Sequence, residues 1–160
     1  MIKVKTTCPV PLFDKLVDNE PEVQEEPVPF RTYTRDQLKE SIRKEITLIL
    51  NHRQTLTFIN HEPEDQEDNP LLDSVLYFGV KDFSNYNYRG DAAWKMRVEG
   101  EIVAAIDRFE PRLQDVVAEI QEFDEKTRLL SVVLWGVIVI DEVREQITFP
   151  VVIEKFADHL

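Results

Sequence analysis

Residues 92–120, AAWKMRVEGEIVAAIDRFEPRLQDVVAEI, change period in the middle. In the first part, apolar side chains recur at Trp94, Val98, Ile102, Ile106 and Phe109, the spacing of one helical face. After Arg112 they alternate, so that Val116, Ala118 and Ile120 share one face of a strand. Pro111 stands at the change. Its ring removes a backbone donor and disfavours helical angles at Glu110, so the helix has to stop there. The pattern predicts a helix over 92–109 capped by Asp91, a corner at Glu110-Pro111-Arg112, and a strand over 113–123.

Toward the C-terminus, residues 129–140 are apolar on both faces, as in a central or covered strand. A further strand is predicted over 146–153, where Pro150 suits an edge. Segments 124–127 and 141–145 have the length of hairpin connections. Toward the N-terminus, Leu38, Ile42, Ile46, Ile49 and Leu50 mark a first helix over 35–51. Thr34 is its N-cap, with Gln37 placed to close a capping box. The expected fold class is α+β: two main helices packed on a small antiparallel C-terminal sheet of about three strands, in the order helix-helix-strand-strand-strand. Thr55-Leu56-Thr57-Phe58-Ile59 is the candidate for one further short strand after the first helix.

Residues 1–33 read as an extended tail, because Pro9, Pro11, Pro21, Pro27 and Pro29 forbid a long regular element. Within it, Leu12-Phe13-Asp14-Lys15-Leu16-Val17 is a short amphipathic segment. Leu12, Phe13 and Leu16 are candidate anchors for a partner protein, and equally suited to covering this chain's own core. Residues 34–156 form one expected domain, and 157–160 a C-terminal tail. The loop after the first helix carries Glu62, Glu64, Asp65, Glu67 and Asp68, a run that repels itself. Residues 74–90 are aromatic-rich, with Lys81 and Arg89 as their basic residues. That suits a core-lining loop or a protein surface better than a platform for stacked bases.

Composition narrows the function. With 160 residues and 42% apolar content, one hydrophobic core is affordable without staples. The net charge of −12 repels a phosphate backbone, so nucleic acid is not an expected partner. No apolar run reaches the roughly 18 residues of a membrane helix, and MIKVKTTCPVPLF lacks a continuous apolar stretch. The single cysteine, Cys8, fits a reducing cytosol. The chain is therefore expected to stay in the cytoplasm without inserting into a membrane.

The sequence offers little for catalysis. It has no phosphate loop, no Cys/His metal set and no serine elbow. His52 and His61 lie near acids, but their spacing fits no metal motif. Glu110 with Glu99 or Glu101 could imitate the acid/base pair of a glycosidase, although such pairs arise by chance in a chain with 31 acids. No catalytic residue, metal or cofactor is expected. Glu110-Pro111-Arg112 is different, because proline holds the two charges on a stiff corner. Arg112 offers a planar fork for carboxylates or carbonyls, and Glu110 accepts from amides or a basic residue. The corner is read as a partner-binding site, with an internal Glu–Arg pair closing the helix as the alternative.

Four pieces of sequence stand out, in order: Pro11-Leu12-Phe13-Asp14-Lys15-Leu16, Leu48-Ile49-Leu50-Asn51-His52-Arg53, Ser74-Val75-Leu76-Tyr77-Phe78-Gly79 with Asp82 and Ser84, and Ile106-Asp107-Arg108-Phe109-Glu110-Pro111-Arg112-Leu113. Together they resemble the TssE family of type VI secretion baseplate subunits, relatives of the lysozyme-like wedge proteins of contractile phage tails. The chain departs from the family pattern at His52, Tyr77 and Phe78, and in the acidic stretch from Glu62 to Asp68. The resemblance implies a structural subunit that binds the wedge proteins TssF and TssG, together with TssK. It also implies that the C-terminal sheet starts polymerisation of the TssB/TssC sheath. The place would be a cytoplasmic baseplate at the inner face of the cytoplasmic membrane. A peptidoglycan-cleaving enzyme is the alternative that the lysozyme label suggests.

Overall fold

A computed structural model describes residues 8–11, 14, 16, 22, 32–54, 77–81, 83, 91–140 and 143–154. Helix α1 spans Arg35–Leu50 and opens with a full capping box at Thr34 and Gln37. Tyr33 and Leu38 flank this cap at the positions of a hydrophobic staple, and both are buried. The apolar stripe then buries Leu38, Ile42, Ile46, Ile49 and Leu50. Helix α2 spans Ala92–Phe109; the Asp91 carboxylate accepts from the Trp94 N–H at 2.8 Å. It buries Trp94, Val98, Ile102, Ala105 and Ile106.

Three long strands follow: β3 (Leu113–Asp124), β4 (Leu129–Ile140) and β5 (Val143–Ile153). They form one antiparallel sheet in the order β3-β4-β5. The α+β order is the expected one, and β4 is the central strand. Strand β5 begins at Val143, before the expected 146, so the connection is shorter than a five-residue loop. Pro150 does lie on an edge strand, opposite Val133. Two short strands precede α1, β1 (Cys8–Pro9) and β2 (Thr32–Tyr33), paired antiparallel. Their pairing was not visible in the sequence. The strand expected at Thr55 to Ile59 lies outside the described residues. Just before it, Arg53 makes a single parallel bridge to Val80.

The core lies between the helices and one face of the sheet. Leu113, Val116, Ala118 and Ile120 from β3 meet Leu130, Val132, Leu134 and Ile138 from β4, and Ile147, Phe149, Val151 and Ile153 from β5. Gly136 is needed at its place in β4. A Cβ there would stand 2.6 Å from the Leu113 side chain, where the sheet begins after the corner.

Candidate functional site

Glu110 is the C-cap of α2, and its N–H donates to the Ile106 carbonyl at 2.8 Å. Leu113 N–H returns to the Glu110 carbonyl at 3.1 Å, so residues 110–113 close a tight turn with Pro111 at its second position. That turn folds the two side chains onto each other. Arg112 Nε donates to Glu110 Oε1 at 2.7 Å and Nη2 to Oε2 at 2.5 Å. The Arg112 backbone N–H adds a third contact to Oε1 at 3.2 Å. The Glu110 side chain is only 1% exposed, and that of Arg112 25%. The pair is thus internal, and Glu110 faces away from solvent.

The corner extends into a polar relay. Arg112 Nη1 donates to Ser41 Oγ on α1 at 3.1 Å. Ser41 Oγ in turn donates to Asp14 Oδ2 at 3.3 Å. The Tyr33 hydroxyl from β2 donates to the same Asp14 oxygen. Burial works against the Arg112 charge, but the Glu110 hydrogen bonds and charge reverse this and raise its pKa. Burial also raises the Tyr33 pKa, reinforced by Asp14. The corner, the N-terminal segment and the adjoining β2 and α1 are therefore tied at one point.

Asp14 belongs to that segment. Leu16, two residues on, is 71% exposed. Leu12 and Phe13 lie outside the described residues. The other two family-like pieces meet the corner from its apolar side. Phe78 packs edge-on against Phe109 at 5.2 Å between ring centres, and His52 tilts against Phe78 at 5.5 Å. Gly79, with φ +100°, lets this loop approach closely, since a Cβ would collide with the His52 carbonyl. Val80 N–H donates to that same carbonyl at 2.9 Å. All four pieces therefore converge on one junction. Ser41, Asp14 and Tyr33 were missed in the sequence. Ser41 carried a signal, being a polar residue on the apolar stripe of α1 with Leu38 and Ile42.

The two edges of the sheet differ. At β3, Ile120 N–H donates to Glu99 Oε1 at 2.9 Å, and Lys95 Nζ donates to the Ile120 carbonyl at 3.3 Å. Both come from α2 and occupy the backbone at a bulge between Ile120 and Glu122. At β5, Asn51 takes the far end, donating to the Val152 carbonyl at 3.3 Å and accepting from Glu154 N–H at 2.7 Å. Backbone groups alternate along a strand, so Arg144, Gln146 and Thr148 point theirs the same way as Val152. Among the described residues nothing pairs with them. An open cleft of about 440 Å³ runs beside them, lined by Asp36, Lys39, Glu40 and Arg43 of α1 and residues 146–149 of β5. Glu145, at the start of this edge, is held by Arg35 and by Lys39 at 2.9 Å. The Arg35 hydrogen bond lowers the Glu145 pKa below the usual carboxylate range.

The carboxylates that could have imitated a glycosidase are engaged elsewhere. Glu110 is bound to Arg112, Glu99 to the β3 backbone, and Glu101 to Lys81 at 3.1 Å. The described cleft is lined by none of them. Among the described residues there is no cluster of His, Cys, Asp or Glu able to hold a metal. No helix among them is long and apolar enough to cross a membrane.

Two capped helices, a three-stranded sheet and an internally locked corner between them define a structural α+β module built around a junction. The chain belongs to the family Baseplate wedge protein gp25, which matches residues 36–142, about two thirds of its length. The match runs from α1 through the corner to the end of β4. It agrees with the resemblance to the TssE subunits, and it gives the chain a structural role in a baseplate. The comparison with curated proteins gave no match.

Proposed function

We propose that this chain is the TssE-type subunit of a type VI secretion baseplate, acting as an adaptor without catalysis. The family match over the helix-corner-sheet unit carries this reading. One side holds the other wedge proteins, TssF and TssG with TssK alongside. The other side seeds the TssB/TssC sheath. The assembly would stand in the cytoplasm, docked at the inner face of the cytoplasmic membrane.

The geometry supports a division of labour. Glu110 holds Arg112 from inside, so a wedge partner at the corner would touch exposed Pro111, the outer edge of Arg112 and the segment bearing Leu12, Phe13 and Leu16. Asp14 joins that segment to the corner, which supports reading Leu16 and the corner as one surface. The sheath would add a strand along β5. The backbone at Arg144, Gln146 and Thr148, unpaired among the described residues, supports that edge, whereas α2 occupies the β3 edge at Ile120.

Co-purification tests the wedge side. Leu16→Asp with Pro111→Ser changes exposed positions and leaves the relay intact. The double variant should keep wild-type circular dichroism and lose TssF and TssG in a pull-down. Undiminished capture would remove the corner from the interface.

A further inference from the structure

Strand β4 is apolar on both faces, but α1 and α2 cover only one. Its other face points Val133, Trp135, Val137 and Val139 outward. The register places Val117 of β3 beside Trp135, and Pro150 of β5 beside Val133. The exposures are large for such residues: 56% for Val117, 37% for Trp135, 42% for Val139 and 47% for Val152. A strand of this pattern belongs between two layers, and among the described residues no helix or strand covers this second face.

The rims of this face are unlike each other. On the β3 side, exposed Glu119 and Glu122 stand opposite Val133 and Ser131. On the β5 side, Gln146, Thr148 and Pro150 carry no charge. Arg144 sits at one end of the face, 3.8 Å from Asp115. The outer strands are about 10 Å apart, which matches the roughly 10 Å diameter of one helix.

We propose that the outer face of the sheet docks one amphipathic α-helix of a partner protein, its apolar stripe over Trp135 and a Lys/Arg flank over Glu119 and Glu122. The net charge of −12 works against this chain's own acidic segments and against a second copy as the occupant. The site is a face, independent of the β5 edge proposed for the sheath. Loss of one should leave the other working.

The probe is a synthetic Leu/Lys amphipathic peptide of roughly 18 residues, about 27 Å long as a helix, with a Leu/Glu peptide as its counterpart. Added to the full chain, the Leu/Lys peptide should shift tryptophan emission to the blue. The shift should vanish in Trp135→Phe, since Trp94 is already buried. Glu119→Gln with Glu122→Gln should weaken binding about fivefold, and Asp36→Asn with Glu40→Gln, the same charge change on α1, less than about twofold. Val117→Asp should weaken it about tenfold or more, with Val139→Asp as the second variant if the first misfolds. Equal weakening by the two charge pairs, or a shift that survives Trp135→Phe, would overturn the proposal. So would a dimer in sedimentation that Val139→Asp dissolves, because the occupant would then be a second copy.

Discussion

Removing the Glu110 carboxylate would leave the Arg112 guanidinium facing an emptied, mostly buried pocket. Glu110→Ala is therefore expected to lower stability by about 2–4 kcal/mol, tempered by the partial exposure of Arg112. Glu110→Ala with Arg112→Ala should cost less than the sum of the single changes, with a coupling of about 1–3 kcal/mol. Urea unfolding of the four proteins measures this, and strict additivity would show that the pair is not coupled. Tyr33 supplies a second check. Its raised pKa means that the folded state holds the phenolic proton more tightly than the unfolded chain, whose ordinary value is 10.0. That contribution is fully present below pH 10 and lost as pH rises through the folded value. Tyr33→Phe should flatten the fall of stability with alkali. The corner itself was legible in the sequence, because proline chemistry is local. Its partners were not: Asp14 lies 27 residues from Ser41, and Ser41 lies 71 from Arg112. A single sequence carries no rule that pairs such distant polar groups.

Each long element could be read from its own residues. The Thr34 cap, the α1 stripe and the stop at Pro111 bracket the helices within a residue of their observed ends. Thr34→Ala should cost about 1 kcal/mol in thermal or urea unfolding, because the Gln37 N–H loses the Thr34 hydroxyl as acceptor while the Thr34 backbone N–H keeps its bond to the Gln37 side chain. Strand β5 was the least legible of the long elements. Val143, Arg144 and Glu145 read as part of a loop because two of the three are charged. The third position makes sense only from the fold: Glu145 points inward and is held by Arg35 and Lys39 on α1. Those partners hold its folded pKa below the ordinary value of 4.5. Its stabilising effect is accordingly present above that pH and lost as pH falls through the folded value. Glu145→Gln should remove part of the acid-side loss of stability, and added salt should reduce the effect. An unchanged acid limb in an unfolding series from pH 3 to pH 6, about the range where carboxylates titrate, would contradict the clamp.

At the scale of the whole molecule, the junction and the sheet face different tasks. The relay from Glu110 to Tyr33 joins the N-terminal segment at Asp14 to the helices, so the surface proposed to face the wedge is tied to the corner. The sheet extends away from that junction with one edge engaged by α2 at Ile120 and the other unpaired in its first half among the described residues. In the proposed function this asymmetry gives the adaptor its direction, with a fixed end and a growing end. Membership of the baseplate wedge family accounts for why such a module exists, and the β5 edge is where the account commits itself. Thr148→Pro tests it most directly. Proline deletes an outward N–H that the β4–β5 ladder does not use, and Pro150 shows that the strand already accommodates the ring two residues away. The variant should keep its fold and its capture of TssF and TssG, while TssB/TssC sheath no longer assembles on baseplates that contain it. Sheath of normal length and number, seen by electron microscopy on those baseplates, would contradict strand addition at β5.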